Sequence, residues 1–165
     1  MVPCRSGNCV MAERAVESAG QSQTRTVDRI DLAPRATQHD VIRLNNMFRG
    51  ANPHDVLAGV LKDQLVGDVA LVSSFGAESA ILLDLVARIN PATAILFLDT
   101  GKHFPETLSY RDLLAEHLGL TNLQTIHPDP AELAARDETG LRWSYDPDGC
   151  CDLRKVRPLE RALAG

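Results

Sequence analysis

Val69-Ala70-Leu71-Val72-Ser73-Ser74-Phe75-Gly76-Ala77-Glu78-Ser79 is the stretch whose reading decides the fold. Four apolar residues follow Gly67-Asp68 and run straight into a Ser/Gly turn, the pattern of a short, fully buried parallel strand. From Ser79 to Ile89 the apolar residues Ile81, Leu82, Leu85, Val86 and Ile89 recur at helical spacing and stop before Asn90-Pro91. A strand therefore feeds a helix through a tight loop. The same unit continues downstream. Ala94 to Leu98 reads as a second buried strand, and Pro105-Glu106 opens a helix to about Leu118, closed by Gly119. Leu123 to Ile126 reads as a third strand and Pro130 to Arg136 as another helix. Strand-helix alternation of this kind predicts a parallel α/β sheet with right-handed crossovers. Ligands of such sheets bind where strand C-terminal ends meet helix N-termini, and both Ser74–Ser79 and Asp99–Phe104 fall on that edge.

Working outward, Asn52-Pro53 resembles an N-cap and first helical position, opening a helix through Leu65. An amphipathic helix from His39 to Phe48 precedes it, with Val41, Leu44 and Phe48 on one side. Residues 1–38 are polar without sustained periodicity and read as a flexible tail, leaving 39–165 as one α/β domain. At 165 residues the chain is long enough to bury roughly 70% of its unfolded surface.

A net charge of -5 argues against general binding to nucleic acid or anionic membrane, because no global positive field draws in phosphate polymers. No apolar run reaches the roughly 18 residues of a membrane span. The first residues, MVPCRSGNCVMAERAVES, lack the apolar core of a signal peptide. The expected compartment is the cytoplasm, where cysteines more often bind metal or react than form staples. Cys4 and Cys9 read as tail residues, and a start at Met11 would remove both.

Two loops and one cysteine pair carry the candidate chemistry. At the Ser73–Ser79 loop free N–H groups converge and the helix dipole adds about half a positive charge, which favours phosphate. Gly76 permits close backbone approach, and the hydroxyls of Ser73, Ser74 and Ser79 can donate. An ordinary strand-to-helix turn with Ser caps has the same composition. In Leu98-Asp99-Thr100-Gly101-Lys102-His103-Phe104-Pro105-Glu106-Thr107, Asp99 and Thr100 could bond a ligand or fix the loop, Gly101 allows a tight turn, and Lys102 with His103 could neutralise an anion. Cys150-Cys151-Asp152-Leu153-Arg154-Lys155-Val156-Arg157-Pro158-Leu159 sets adjacent thiols among cations, which favour the thiolate and so metal ligation. The cations themselves could bind one small anion. Successive residues on a helix point roughly 100° apart, so shared ligation requires a local distortion. Two buried thiols or a vicinal disulfide are the alternatives.

Taken together, Ser-Phe-Gly-Ala-Glu-Ser, Leu-Asp-Thr-Gly-Lys-His-Phe-Pro-Glu-Thr and Cys-Cys-Asp-Leu-Arg-Lys-Val-Arg-Pro-Leu resemble the adenylyl-sulfate and phosphoadenylyl-sulfate reductases, from about His39 to Gly165. The resemblance implies a Rossmann-like parallel sheet of the adenine nucleotide α-hydrolase-like type, incomplete at its C-terminal end. Pyrophosphatase members of that superfamily carry Ser-Gly-Gly-x-Asp-Ser. Here Phe75 and Glu78 stand at Gly and Asp places of the pattern, which disfavours an ATP-using adenylylating enzyme.

By resemblance, Ser73, Ser74, Phe75, Gly76 and Ser79 would hold the phosphosulfate end of the substrate. Leu98 would meet adenine through its backbone, with Asp99, Thr100 and Gly101 lining the nucleotide pocket. Cys150 and Cys151 would be two of four ligands to a [4Fe–4S] cluster, a mark of members using adenylyl sulfate. Lys155 would lie between cluster and substrate in a supporting role, with Arg154 close by. The implied activity is thioredoxin-dependent reduction of adenylyl sulfate to sulfite and AMP in sulfate assimilation. The alternatives are phosphoadenylyl-sulfate reduction or a non-catalytic nucleotide-binding fragment. Relatives supply two further ligands from a later Cys-x-x-Cys and the nucleophilic cysteine from a tail motif. The expectation is therefore an N-terminal portion that retains the nucleotide half-site, without a complete cluster or turnover of its own.

Overall fold

The computed structural model describes residues 37–164. Most of the expected tail, with Cys4 and Cys9, lies outside them. Thr37 opens the described chain as the N-cap of α1 (Gln38–Met47), in a capping box with Asp40. Its hydroxyl accepts from the Asp40 amide at 3.2 Å while the Asp40 carboxylate accepts from the Thr37 amide at 3.0 Å. Two otherwise orphaned donors are satisfied reciprocally. Asn52 caps α2 (Pro53–Leu61) by accepting from the Asp55 amide with its side chain.

α2 stops at Leu61 instead of reaching Leu65. The Lys62 and Asp63 amides both turn back to the Ala58 carbonyl, and Gln64 enters the left-handed region at φ 52°. A helix cannot continue through that conformation. Beyond it the chain forms three strands: β1 (Ala70–Val72), β2 (Ala94–Leu98) and β3 (Leu123–Ile126). They pair in parallel in the order β1-β2-β3, with Ala70 opposite Ala94 and Ile95 opposite Leu123. The crossovers are α3 (Ala77–Ile89) and α4 (Pro105–Leu118). α4 ends at Gly119 with φ 66°, a C-terminal cap for which glycine carries no steric penalty.

The core gathers Phe75, Leu83, Val86, Ile95, Phe97 and Ala115. Burying each of the large side chains contributes about 1.5–3 kcal/mol. Two expectations need correction. β1 is half-buried, not fully buried, and Val72 keeps 44% of its surface exposed. Among the described residues β1 pairs on one side only, whereas β2 lies between two partners and is the buried strand. The inward face of α3 is Leu83 and Val86, while Ile81 is 70% exposed. The spacing admits two overlapping stripes, and packing against the sheet selects the second.

After α5 (Pro130–Arg136) come α6 (Arg142–Tyr145) and α7 (Pro147–Cys151). α7 passes without a break into one π-helical segment, Asp152–Val156, and then α8 (Arg157–Ala164). This run returns the cysteine pair to the C-terminal edge of the sheet.

Candidate functional site

The loop after β1 is held from inside. Ser73 extends the ladder by donating its amide to the Leu96 carbonyl, and its buried hydroxyl accepts from the Phe75 amide at 3.1 Å. Phe75 itself sits at φ 56°, a conformation a bulky residue adopts only when its surroundings impose it. Its ring is 1% exposed and meets Phe97 edge to face at 5.8 Å. The Phe75 side chain is thus a core pin and leaves only its backbone for a ligand. Gly76 then caps α3 with no side-chain acceptor, and the Ser79 amide turns back to the Gly76 carbonyl at 2.9 Å, so the Ala77 and Glu78 N–H groups at the head of a 13-residue helix keep their capacity for an anion. Ser74 and Gly76 are exposed, and Ser79 is half-buried in the first turn.

In the loop after β2, Asp99 accepts the Gly101 amide at 2.9 Å in an Asx turn, and Gly101 takes φ 67°. The Thr100 hydroxyl accepts the Lys102 amide. The Leu98 carbonyl bonds to His103 Nε2 at 2.9 Å. A carbonyl only accepts, so Nε2 is the donor in that bond. Lys102 Nζ donates to the Gly140 carbonyl at 2.8 Å. Lys102 and His103, expected as anion neutralisers, both take part in fixing the loop. His127 Nδ1 lies 3.8 Å from the other Asp99 oxygen.

The cysteine pair ends α7, whose N-cap Asp146 accepts the Gly149 amide at 2.9 Å and pairs with Arg142. No room exists for a side chain at Gly149, where a Cβ would overlap the Asp146 carboxylate and the Arg142 guanidinium. Directly after the pair, the Arg157 amide reaches back five residues to the Asp152 carbonyl. The distortion lies after the pair, since Cys151 itself keeps regular helical dihedrals (φ -64°, ψ -43°); single π-turns inside helices concentrate at functional sites. Both thiols are free, Cys150 buried and Cys151 exposed. They line a cavity of about 520 Å³ with Arg154 and Lys155, facing Thr100, Lys102 and His103 from the β2 loop and Trp143 from α6.

The expected basic cluster is largely neutralised internally. Arg154 is buried and spends three bonds on the protein. Nη2 and Nε donate to Asp137 Oδ2 at 2.6 and 3.2 Å, and Nη1 donates to the Thr100 carbonyl at 2.7 Å. The hydrogen-bonded guanidinium holds the Asp137 carboxyl below the usual carboxylate range. Arg157 pairs with Asp152 and Glu132, and its hydrogen bond to Asp152 raises its pKa further. Lys155 is exposed and forms no ion pair among the described residues. Of the three cations, it is the one left facing the cavity with its charge uncompensated.

The structure thus brings Thr100, Cys150, Cys151, Arg154 and Lys155 together, and Gly101 packs beside the Arg154 guanidinium. Ser73, Ser74, Phe75, Gly76, Ser79, Leu98 and Asp99 share the same sheet edge but do not line the cavity. No group of three or more His, Cys, Asp or Glu side chains with metal-binding geometry occurs among the described residues. Sequence reasoning missed Asp137 and Trp143. The single Trp of the chain was a composition-level signal for the second, whereas nothing local marks Asp137.

Comparison with known proteins agrees with this architecture. The phosphoadenosine phosphosulfate reductase domain matches residues 68–165, over half of the chain. The adenosine 5'-phosphosulfate reductase of Mesorhizobium japonicum is 41% identical over 143 residues, which cover 87% of this chain and 56% of that protein. The enzyme of the same name from Chelativorans sp. is 52% identical over 97 residues, or 59% of this chain and 40% of the relative. The chain spans about half the length of these curated relatives. A phosphoadenylyl-sulfate reductase crystal structure from Candida auris, a phosphate complex, superposes with a TM-score of 0.62 at 24% identity, covering 78% of this chain and 63% of that one. That likeness shows the Rossmann-like α/β fold expected from the strand-helix order. With the domain match and the Mesorhizobium relative beside it, this chain belongs to the adenylyl-sulfate and phosphoadenylyl-sulfate reductase family.

Proposed function

We propose that this chain forms the nucleotide- and thiol-bearing part of a reductase that converts adenylyl sulfate to sulfite and AMP. The observation that carries the reading is the cavity in which Cys150, Cys151 and Lys155 face the loop after β2. In the reaction a cysteine thiolate attacks the sulfate sulfur, the S–O bond to the nucleotide breaks, and AMP leaves with its electron pair. Two thiols of thioredoxin then displace sulfite from the S-sulfocysteine and become a disulfide, so the two electrons balance. The attacking thiol is a cysteine other than Cys150 and Cys151, which take the ligand role.

The uncapped N–H groups of α3, with Ser74 and Ser79, receive the charged end of the nucleotide. Asp99 and Thr100 shape the turn against which the nucleoside rests, and Gly101 keeps that turn tight. Leu98 meets adenine through its backbone. Lys155 meets the charge that develops on the leaving phosphate, where a preorganised cation is most effective. Arg154 contributes through position, since Asp137 already compensates its charge. The thiolate pair suits a [4Fe–4S] cluster, which would supply a polarising, redox-active centre beside the sulfate once two more ligands join. Reduced thiols and a net charge of -5 fit a cytoplasmic enzyme that takes thioredoxin as protein partner and leaves nucleic acid alone.

Calorimetric titration of the chain with AMP and with adenylyl sulfate tests the binding half. Saturable binding of both is expected, with ATP yielding no pyrophosphate. In the complete enzyme, Lys155→Ala should lower kcat by about 10²–10³-fold with little change in melting temperature. Unchanged turnover would remove Lys155 from the reaction, and absence of any AMP binding would overturn the assignment.

A further inference from the structure

The Asp137 carboxylate takes no part in the chemistry proposed above, yet its side chain is wholly buried and its ion-pair partner Arg154 nearly so. One oxygen, Oδ2, receives Arg154; the other, Oδ1, accepts the Arg142 amide at 2.9 Å. Each arm leads to one end of the cysteine helix. Arg142 pairs with Asp146, the N-cap that holds the Gly149 amide just before the thiols. Arg154 lies in the π-helical segment just after them and reaches the Thr100 carbonyl with its remaining nitrogen. Cys150 and Cys151 are therefore bracketed by one carboxylate, and Arg154 ties the same helix to the loop after β2.

We infer that Asp137 is a positioning residue, which holds the two ends of the cysteine helix so that both thiols border the cavity with Cys150 largely buried and Cys151 exposed. A buried ion pair is a poor source of net stability against an apolar replacement, because desolvation offsets the attraction. Its directional bonds instead select one geometry. Removing the carboxylate takes one anchor from each end of the helix at once: Arg154 is left with the Thr100 carbonyl alone, and Arg142 with the Arg136 carbonyl and Asp146. The asymmetry between the thiols then disappears. The inference rests on the reading of the thiol cavity as the site, but its test adds neither nucleotide nor metal, so it succeeds or fails independently of substrate assignment.

The test is the rate of iodoacetamide alkylation at each thiol of the whole chain, followed at one fixed pH by peptide mapping in a mass spectrometer. In the unmodified protein Cys151 should react at least about tenfold faster than Cys150, because Cys150 keeps only 9% of its surface exposed and reacts chiefly when the helix opens locally. Equal rates there would overturn the inference at once. Asp137→Asn should bring the two rates within about threefold of each other, with a cooperative melting transition retained, as expected for local opening without global unfolding. Glu132→Gln removes the partner of Arg157 and Arg161 without touching Arg154, and must leave the ratio as it was. If Asp137→Asn does not fold, Arg154→Lys decides, since lysine keeps the charge but cannot span Asp137 and Thr100. A fall in thermal stability with an unchanged ratio, or the same collapse in Glu132→Gln, would overturn the assignment of a positioning role.

Discussion

Replacing Phe75 by alanine tests whether the loop after β1 is built from the core outward. The ring is 1% exposed and packs edge to face on Phe97 at 5.8 Å. Truncating a fully buried phenylalanine costs about 3–5 kcal/mol through lost transfer energy and the cavity left behind. Of that, about 0.5–1.5 kcal/mol belongs to the aromatic pair itself. Alanine retains the positive φ of 56°, so relief of backbone strain does not offset the loss. For a domain of this size the melting temperature should fall by about 10–20 °C, read by circular dichroism, with a matching shift in the urea midpoint. Phe75→Leu should lose chiefly the aromatic pair, about 1 kcal/mol, and leave AMP affinity within about threefold, since the ring never reaches the ligand side. The reasoning fails if Phe75→Ala melts within about 3 °C of the parent, or if Phe75→Leu abolishes AMP binding while stability is intact. Either result would make Phe75 a wall of the nucleotide site.

Two further outcomes follow from the site's framework. Gly149→Ala drives a methyl into the Asp146 carboxylate and Arg142 guanidinium; it should destabilise by about 1–3 kcal/mol and, in thermal unfolding, exceed any helix gain from alanine. Asp137, Asp146 and Asp40 all have carboxyl pKa values lowered in the folded state, chiefly by hydrogen bonds from Arg154, the Gly149 amide and Thr37 respectively. Their contribution is complete above the unfolded value near pH 3.9 and is lost as pH falls through each folded pKa. Melting temperature should therefore be flat near neutrality and drop below about pH 4, and Asp137→Asn should make that acid limb shallower. A limb unchanged in the variant would remove Asp137 from the acid response.

Elements bounded by chain chemistry were legible at residue level. β2, α4, β3 and α5 occupy the expected spans because an apolar run, a Pro at the first helical turn or a left-handed Gly119 marks each end. Where two solutions share one pattern, the third dimension decides. Ile81 and Leu83 both satisfy helical spacing, and only contact with the sheet turns Leu83 inward. Charges behave similarly, since a sequence displays Arg154 and Arg157 but not their partners. Asp137 lies 17 residues before Arg154 in the chain, and their pairing turns an expected anion-binding cation into a strut. Phe75 shows how the two kinds of information combine. It stands at a glycine place in the Ser-Gly-Gly-x-Asp-Ser pattern, and the backbone there is left-handed, as glycine would permit. The motif was therefore readable as backbone geometry, with the substituted side chain put to a different use. By turning into the core, the ring anchors a strained loop at the head of α3. On the proposed function, that anchoring aims the helix N–H groups in advance, and a ligand would lose less freedom on binding than against a mobile glycine loop.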